Sequence, residues 1–320
     1  MRCIKCRGTA SVEVRRHNSA FCRDHFLEYF ENQVRRAIQE QEMFRPEDPV
    51  LVAVSGGKDS LALWDVLLRL GYRADGLYIS LGIDEYSRVS RDKSAAFAEA
   101  RNATLHVVEV EEEYGFTVPL LASHTRRVPC SACGMTKRHM FNRIARDRGY
   151  AVLATGHNLD DEAASLLGNL LRWQTDYLAR QHPVLPAEQD GFVKKVKPLY
   201  RLTEKETAAY AILTGIDYIV EECPNAAGAR SLLYKEALNL LERESPGTKH
   251  QLYLGFLEKG RPAFRQAGER PELHPCAQCG EPTTAEVCAF CRLVEQARRT
   301  RERRAAAAAL PRADGRDGGP

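Results

Sequence analysis

The chain carries the sequence LVAVSGGKDS at residues 51–60, and this stretch decides the fold. The apolar run 51–54 has the length of a buried strand, and Leu61, Trp64 and Leu68 then recur at the spacing of one helical face. Between them, two glycines permit a tight turn and a close approach of the backbone to an anion. A helix that starts there presents unpaired N–H groups, which bind phosphate. The Walker A spacing is absent, so we predict a phosphate-binding loop that differs from the kinase type.

Outward from this loop, strand-like and helix-like patterns alternate along the chain. Short β-rich runs occupy residues 50–54, 76–80, 104–110 and 151–155, and helical patterns occupy residues 60–70, 88–102, 136–148 and 160–172. Such alternation is typical of βαβ units on a parallel sheet. We therefore predict an α/β fold with a Rossmann-like parallel sheet, whose ligands bind at the carboxyl ends of the strands.

Eight of the ten cysteines lie in two sets at the ends of the chain. Each set supplies four ligands from two knuckles with C-x2-C or C-x2-H spacing, the pattern that wraps a tetrahedral Zn²⁺. Because all four positions are filled by protein, we expect two structural zinc sites without an open position for substrate. The expected ligands are Cys3, Cys6, Cys22 and His25 in one module and Cys276, Cys279, Cys288 and Cys291 in the other.

A third cysteine set lies in the middle of the chain. Cys130 and Cys133 are three positions apart, and Cys223 lies far along the sequence, so folding must bring it to them. Three thiolates form an incomplete tetrahedral set. From the residues alone, three interpretations stand equal: a third zinc site with one further ligand, a persulfide relay, and an iron–sulfur cluster with one open iron.

The composition excludes several classes of protein. The 320 residues are 44% hydrophobic and 28% charged, which is typical of a globular chain, and no apolar run approaches a membrane span. We see no secretory signal and expect a cytoplasmic protein with reduced thiols and no membrane partner. The net charge of +3 is uninformative, so a nucleic-acid partner must be argued from basic clusters. These lie at residues 126–127, 194–197 and 298–304.

The motifs together resemble a known family. Residues 55–60 resemble the pyrophosphate loop of the ATP-pyrophosphatase (PP-loop) superfamily, and TGHNLDDEA at residues 155–163 resembles its second motif. The segment PCSACGMTKR at residues 129–138, with Cys223-Pro224, is similar to the tRNA 2-thiolation enzymes of the TtcA/TtuA group. The terminal zinc modules resemble the uridine-thiolating TtuA branch of that group.

This resemblance implies a transferase, an ATP-dependent tRNA 2-thiouridine synthetase (sulfurtransferase). Such an enzyme cleaves ATP to AMP and pyrophosphate while it adenylates the O2 atom of a uridine, and sulfur then replaces that oxygen. The implied cofactors are ATP, Mg²⁺, two structural Zn²⁺ and a [4Fe–4S] cluster, whose open iron would deliver the sulfur. The implied target is a T-loop ribothymidine of tRNA, and the implied sulfur donor is a thiocarboxylated ubiquitin-like carrier protein. A homodimer is one assembly that the resemblance allows.

The family pattern assigns roles residue by residue. Cys130, Cys133 and Cys223 would hold the cluster, and Lys137 and Asp161 would serve catalysis, with Asp161 as base or magnesium ligand. Nucleotide binding would involve Lys137 together with Ala53, Ser55, Gly56, Gly57, Lys58, Asp59, Ser60, Ile79 and Gly156. For Asp160 and Glu162, a purely structural role at a helix N-terminus is an equal alternative.

Four segments are predicted from these features. They are an N-terminal zinc finger at residues 1–30, a PP-loop ATP pyrophosphatase domain with the iron–sulfur site at 31–265, a C-terminal zinc ribbon at 270–300, and a disordered tail at 305–320. Alternative functions are thiolation of a wobble uridine, an ammonia-using amide synthetase, and a non-enzymatic zinc-ribbon adaptor that binds RNA. The three central cysteines argue against the synthetase, and the intact loop argues against the adaptor.

Overall fold

The computed structural model describes residues 1–187, 191–226, 230–265 and 272–309. In chain order, the strands are β1 (Val12–Val14), β2 (Ser19–Phe21), β3 (Val50–Val54), β4 (Ala74–Ser80), β5 (Leu105–Glu109), β6 (Val152–Thr155), β7 (Val184–Leu185), β8 (Lys194–Val196), β9 (His274–Pro275) and β10 (Pro282–Thr283). The helices are α1 (Arg23–Glu40), α2 (Lys58–Arg69), α3 (Asp84–Ala100), α4 (Val110–Tyr114), α5 (Val118–Thr125), α6 (Pro129–Asp147), α7 (Leu159–Leu171), α8 (Thr175–Arg180), α9 (Glu204–Leu213), α10 (Arg230–Glu244), α11 (Thr248–Gly255), α12 (Arg261–Arg265) and α13 (Ala289–Ala309). Among these described helices, none is long and apolar enough to cross a membrane.

A six-stranded sheet forms the centre of the molecule. Its strand order is β5-β4-β3-β6-β8-β7, and every neighbouring pair is parallel except β7 with β8. β3 lies in the middle and is almost entirely apolar, as expected for a strand covered on both faces. The predicted α/β fold with a mostly parallel sheet is confirmed.

Helices cover both faces of this sheet. One face packs against α1, α2 and α9, where Phe30 stacks on Tyr210 with ring centroids 4.0 Å apart and Trp64 is fully buried. The other face packs against α5 and α6, which in turn contact α13 of the C-terminal module. Cys276 and Leu293 of that module are buried in the same apolar cluster as Leu51 of β3. The C-terminal module is therefore part of the core beneath the sheet.

Each terminal module is built on a small antiparallel hairpin. β1 pairs with β2 before α1, and β9 pairs with β10 before α13. α1 starts at the N-terminal module, where Cys22 is its N-cap, and continues into the body of the protein. α13 extends to Ala309, so residues 305–309, which we expected in a disordered tail, are helical; residues 310–320 lie outside the described residues.

The structure differs from the sequence prediction around the central cysteines. We expected a cysteine-containing loop before a helix that starts near residue 136, but α6 begins at Pro129. Proline suits the first position of a helix, because the N–H it lacks has no partner there anyway. Cys130 and Cys133 consequently lie one turn apart at the start of a long helix.

Candidate active site and metal centres

The glycine loop after β3 is held in a conformation that requires glycine. Gly56 has φ +73°, and a Cβ atom there would lie 2.5 Å from the Ser90 carbonyl oxygen. The Ser60 hydroxyl accepts a hydrogen bond from the Ser55 N–H at 3.1 Å and donates one to the Gly57 carbonyl at 3.0 Å. Gly57 is the N-cap of α2 and offers no side-chain cap. The N–H groups of the first turn of α2 are therefore available to an anion.

A second loop, from the end of β6, packs directly on the first. A Cβ at Gly156 would lie 2.8 Å from the Ser60 backbone nitrogen, so only glycine allows this contact. Asn158 Nδ2 donates to Asp59 Oδ1 at 3.1 Å. Asn158 and Asp161 also form a capping box at the start of α7. The Asp161 N–H donates to Asn158 Oδ1 at 3.1 Å, and the Asn158 N–H donates to Asp161 Oδ2 at 3.0 Å. The two loops thus form one wall at the carboxyl ends of β3 and β6.

A cavity of about 370 Å³ lies in front of this wall. Eight of the predicted site residues line it: Ala53, Ser55, Asp59, Ser60, Ile79, Lys137, Gly156 and Asp161. Gly56, Gly57 and Lys58 belong to the adjoining loop and helix start but do not line the cavity. Sequence reasoning missed several other lining residues, namely Val54, Tyr78, Leu81, Tyr86, Ser87, Ser90, Phe141, Thr155 and His157. A signal for some of them existed, because α3 follows the second strand of the sheet and its first turns face the cavity.

Alternating charges border the cavity. Lys58 Nζ lies 3.0 Å from Asp59 Oδ2 and 2.8 Å from Glu204 Oε1. Lys235 Nζ lies 3.2 Å from Glu204 Oε2 and 2.6 Å from Asp161 Oδ1. Burial raises the pKa of Asp59, although Lys58 opposes it; for Glu204, the two lysines outweigh burial and lower the pKa. Asp59 and Asp161 both line the cavity, and carboxylate oxygens are the ligand type that Mg²⁺ prefers.

The two acidic neighbours of Asp161 are engaged inside the protein. Buried Asp160 forms an ion pair with Lys249 and accepts the backbone N–H of Glu204 at 2.9 Å. Buried Glu162 lies 2.7 Å from Lys197 Nζ and accepts the Tyr253 hydroxyl at 2.8 Å. Within this acidic run, only Asp161 lines the cavity.

α6 connects the cavity with the central cysteines. Lys137, in the middle of α6, lines the cavity and has no ion-pair partner among the described residues. Burial raises the pKa of Cys133, while the charge of Lys137 opposes this shift and the nearby Cys223 and Cys130 add to it. Tyr86 lines the cavity and faces both Cys223 and Cys133. The central thiols therefore lie next to this cavity.

The three central thiols are brought near one another without forming a single-ion site. The Cys130 thiol donates to the Asn225 carbonyl at 3.0 Å, two residues beyond Cys223. In the part of the chain that the structure describes, these thiols are not among the sets whose ligand atoms all lie within 4.8 Å. They are therefore spaced more widely than the ligands of one zinc ion, whose Zn–S distance is about 2.3 Å.

The two terminal sets have the compact geometry that a single ion requires. In each set, all four ligand atoms lie within 4.8 Å of one another. Cys276 is buried, which opposes its ionisation, but backbone groups of Cys288, Gln278 and Cys279 lower its pKa to about 6. The Cys288 N–H donates to the Cys276 sulfur at 3.2 Å. Both clusters can therefore bind a metal, with four ligands from Cys3, Cys6, Cys22 and His25 and four from Cys276, Cys279, Cys288 and Cys291.

One of the three predicted basic clusters is engaged in contacts within the protein. Residues 194–197 fall on and just after β8, where Lys194 Nζ donates to the Glu42 carbonyl at 2.5 Å and Lys197 pairs with Glu162. Burial lowers the pKa of Lys195. These lysines serve internal contacts. Arg126 and Arg127 are exposed just before α6, and all five arginines of residues 298–304 are exposed on α13.

Comparisons with known proteins agree with this geometry. The PP-loop domain family matches residues 27–230, and the family described as the N-terminal LIM domain of the 2-thiouridine synthetase TtuA matches residues 2–27. The chain is 54% identical over 304 residues to the tRNA-5-methyluridine(54) 2-sulfurtransferase of Thermus thermophilus, covering 95% of this chain and 94% of that one. It is 44% identical over 292 residues to the Pyrococcus horikoshii protein of the same name, covering 91% and 93%.

A solved structure has the same fold. The U34-tRNA thiolase NcsA from Methanococcus maripaludis, solved with its [4Fe-4S] cluster, superposes with a TM-score of 0.79 at 24% identity. The match covers 92% of this chain and 96% of that one. Fold, loop motifs and sequence relatives agree, and they support the alternatives of an amide synthetase and a non-enzymatic adaptor less well. The chain belongs to the PP-loop family of tRNA 2-sulfurtransferases.

Proposed function

We propose that this chain replaces the O2 atom of the T-loop 5-methyluridine of tRNA with sulfur, at the expense of ATP. The observation that carries the proposal is the junction on α6, where Lys137 lies at the cavity while Cys130 and Cys133 lie one to two turns before it. An enzyme of this kind must activate a uridine and supply sulfur at the same carbon atom. Relatives covering nearly the whole chain are named for uridine 54, which supports that position over the wobble uridine.

The cavity fits ATP at the carboxyl ends of the central strands. The N–H groups at the start of α2, with Ser55 and Ser60, would bind the pyrophosphate end, where Gly56 and Gly57 allow close approach. Backbone groups near Ala53 and Ile79 would contact the adenosine, and Gly156 leaves room beside it. Asp59 and Asp161 would hold Mg²⁺ through their oxygens, and Mg²⁺ would supply charge neutralisation of the departing pyrophosphate.

The first chemical step is adenylation of the uridine. The O2 atom bonds to the α-phosphorus of ATP, and the bond from that phosphorus to the bridging oxygen breaks, so pyrophosphate leaves with the electron pair. Lys137 has no ion-pair partner among the described residues and lines the cavity, so its ammonium group is free to stabilise the charge that develops on the α-phosphate. Sulfur at the oxidation level of sulfide, released from its donor, then bonds to C2, and AMP leaves with the former O2 atom and the electron pair of the broken C2–O bond, so no oxidant or reductant is needed.

The three central thiols fit an iron–sulfur cluster better than a third zinc ion. They are spaced too widely for one ion, and they supply three ligands where a zinc site of structural type uses four. We propose that Cys130, Cys133 and Cys223 hold a [4Fe–4S] cluster. When bound, such a cluster supplies one iron atom without a protein ligand, at which sulfur can be held.

The terminal modules and surface support binding of a tRNA. We propose one structural Zn²⁺ in each four-ligand set, and contact between tRNA phosphates and the exposed arginines at residues 126–127 and on α13. The sulfur donor would be a thiocarboxylated ubiquitin-like carrier protein, and a homodimer and a cytoplasmic location complete the proposal. The carrier protein rests on the family resemblance, and the location also fits ten cysteines that form no disulfide among the described residues.

The proposal is tested by Cys223→Ser, with Ser131→Ala as the matched control. Ser131 is exposed between Cys130 and Cys133, so its loss leaves all three thiols in place. After anaerobic purification, we expect Cys223→Ser to lose most cluster iron and all tRNA thiolation while it still binds ATP, and Ser131→Ala to behave as the parent. Full iron content and thiolation in Cys223→Ser would contradict the assignment of the three thiols.

A further inference from the structure

Two lysines from distant parts of the chain share one carboxylate beside the nucleotide cavity. Glu204, the first residue of α9, binds Lys58 through Oε1 at 2.8 Å and Lys235 through Oε2 at 3.2 Å. Lys58 begins α2 directly after the glycine loop, and Lys235 lies in the second turn of α10. Lys235 also reaches Asp161, which lines the cavity. Nothing in the sequence motif marks Lys235 or Glu204.

This arrangement differs from the structural ion pairs nearby. The pair of Lys249 and Asp160 is almost completely buried, with 4% and 5% of the side chains exposed. Lys58 and Lys235 are each 22% exposed and Glu204 is 37% exposed, so solvent and ligands can reach them. Accessible ammonium groups that converge beside a phosphate-binding loop are suited to bind an anion.

The charges of these side chains would also allow a polyphosphate to replace the Glu204 carboxylate at the two lysines. Burial opposes the charge of Lys235, but Asp161 and Glu204 outweigh it and raise its pKa, so the ammonium form persists at neutral pH. Glu204 pairs with both lysines, while Asp59 also pairs with Lys58 and Asp161 with Lys235, so three carboxylates balance the two ammonium groups when no ligand is bound. A polyphosphate offers several oxygens and more negative charge than one carboxylate, so it competes for the same two ammonium groups.

We propose that Lys235 is a phosphate-binding residue that, together with Lys58, contacts the β- and γ-phosphates of ATP, and that Glu204 holds both lysines in place until the nucleotide binds. This inference rests on the proposed use of ATP in the cavity. The inference adds Lys235 of α10 to the groups of the glycine loop that bind phosphate, and it assigns Glu204 a positioning role.

The test compares binding of ATP, pyrophosphate and AMP by calorimetry to the full-length protein and four variants. Lys235→Met should lower the affinity for ATP and for pyrophosphate about tenfold to a hundredfold, which is the usual effect of losing a charge-assisted hydrogen bond. The affinity for AMP should not change. Lys235→Arg should restore part of the loss. Glu204→Gln should bind ATP as tightly as the parent or more tightly, since the competing carboxylate is gone. Lys205→Met, at the exposed next position, should match the parent.

The outcomes separate this inference from the proposed function. Equal ATP affinity in Lys235→Met and the parent would overturn the inference. An equal loss of affinity for ATP and for AMP would also overturn it, because it would indicate a merely structural role of Lys235. If Lys235→Met does not fold, Glu204→Gln decides: weaker ATP binding there contradicts a displaced carboxylate, and equal or tighter binding supports it. A parent protein that binds no ATP would overturn the proposed function itself.

Discussion

The backbone N–H of Ile219 donates a hydrogen bond to the carbonyl of Gly56 at 2.9 Å. The segment that leads to Cys223 is thereby tied to the phosphate-binding loop, four residues before the cysteine. Gly56 meets Ser90 of α3 on its other side, where no Cβ fits. The loop therefore lies between α3 and the Cys223 segment, and a change in its shape reaches the thiol site through one hydrogen bond.

Gly56→Ala should damage both sites. The new Cβ would lie 2.5 Å from the Ser90 carbonyl oxygen, so the loop must move, and the Ile219 hydrogen bond must move with it. We expect loss of ATP binding and a lower iron content after anaerobic reconstitution, measured by calorimetry and metal analysis. Gly71→Ala is the matched control, because Gly71 also has positive φ (+82°) but has nothing within 4 Å. It should cost only about 1 kcal/mol of stability and leave both functions intact.

Lys137→Ala should lose most thiolation without loss of binding. Removal of one preorganised electrostatic contact of this kind costs about 10²–10³ in rate. The measurement is single-turnover thiolation with saturating ATP and tRNA under anaerobic conditions, with zinc, iron and tRNA affinity unchanged. Lys137→Arg should recover little activity, because a planar guanidinium does not replace a point charge. A Lys137→Ala rate within a few-fold of the parent would mean that the lysine only lines the cavity.

Cys276→Ser should remove about half of the zinc and destabilise the core beneath the sheet. Metal binding can contribute about 10–16 kcal/mol of local folding free energy. Cys276 is buried in the same apolar cluster as Leu51, so loss of its module also uncovers α5 and α6. We expect a lower melting temperature, with ATP still bound at 25 °C, because no residue of this module lines the cavity. Gln278→Ala, an exposed change in the same knuckle, should keep its zinc; unchanged zinc in Cys276→Ser would be inconsistent with the site.

Acid should destabilise the protein partly through His250. Burial lowers the pKa of this side chain to about 4, while its Nε2 donates to the Arg201 carbonyl at 2.9 Å. Since the unfolded side chain titrates near 6.5, this contribution to stability is complete above pH 6.5 and is lost as the pH falls towards 4. The loss is about 2 kcal/mol at pH 5.

His250→Gln should reduce this pH dependence. Glutamine can still donate to the Arg201 carbonyl but does not titrate, so the difference in unfolding free energy between pH 7 and pH 5 should shrink by about that amount. Denaturant unfolding of the parent and the variant at both pH values measures it, and release of metal by acid affects both proteins alike. If the unfolding free energy of the parent and of His250→Gln changed equally between pH 7 and pH 5, His250 would be protonated at pH 5 in the folded as well as in the unfolded state.

The sequence predicted the parts of this molecule that depend on local patterns. The strand 50–54 matches β3 residue by residue, and the C-x2-C spacing identified both compact ligand sets. The start of α6 was missed because Pro129 and the knuckle suggest a loop, although proline is also favoured at the first position of a helix. β7 and β8 were missed because they are two and three residues long and β8 carries lysines.

The parts of the site that depend on tertiary packing could not be predicted. Tyr86 and Ser90 reach the cavity because α3 folds back over the end of β4; the order of strand and helix points to the start of α3, but no motif marks these two residues. Glu204 and Lys235 join Lys58 only through the packing of α9 and α10 around the loop. The lysines at residues 194–197 appeared to form a basic surface, but their partners Glu42 and Glu162 are distant in sequence.

Nucleoside mass spectrometry of tRNA after an anaerobic reaction tests most directly whether this chain thiolates uridine with ATP through the three-cysteine site. The reaction contains the protein reconstituted with iron and sulfide, ATP with Mg²⁺, inorganic sulfide as the sulfur donor, and tRNA that carries unthiolated 5-methyluridine. We predict 2-thio-5-methyluridine mapped to position 54, AMP in equal amount, and no product without ATP or with Cys223→Ser. Sulfur at the wobble uridine instead, or equal product without ATP, would contradict the assignment.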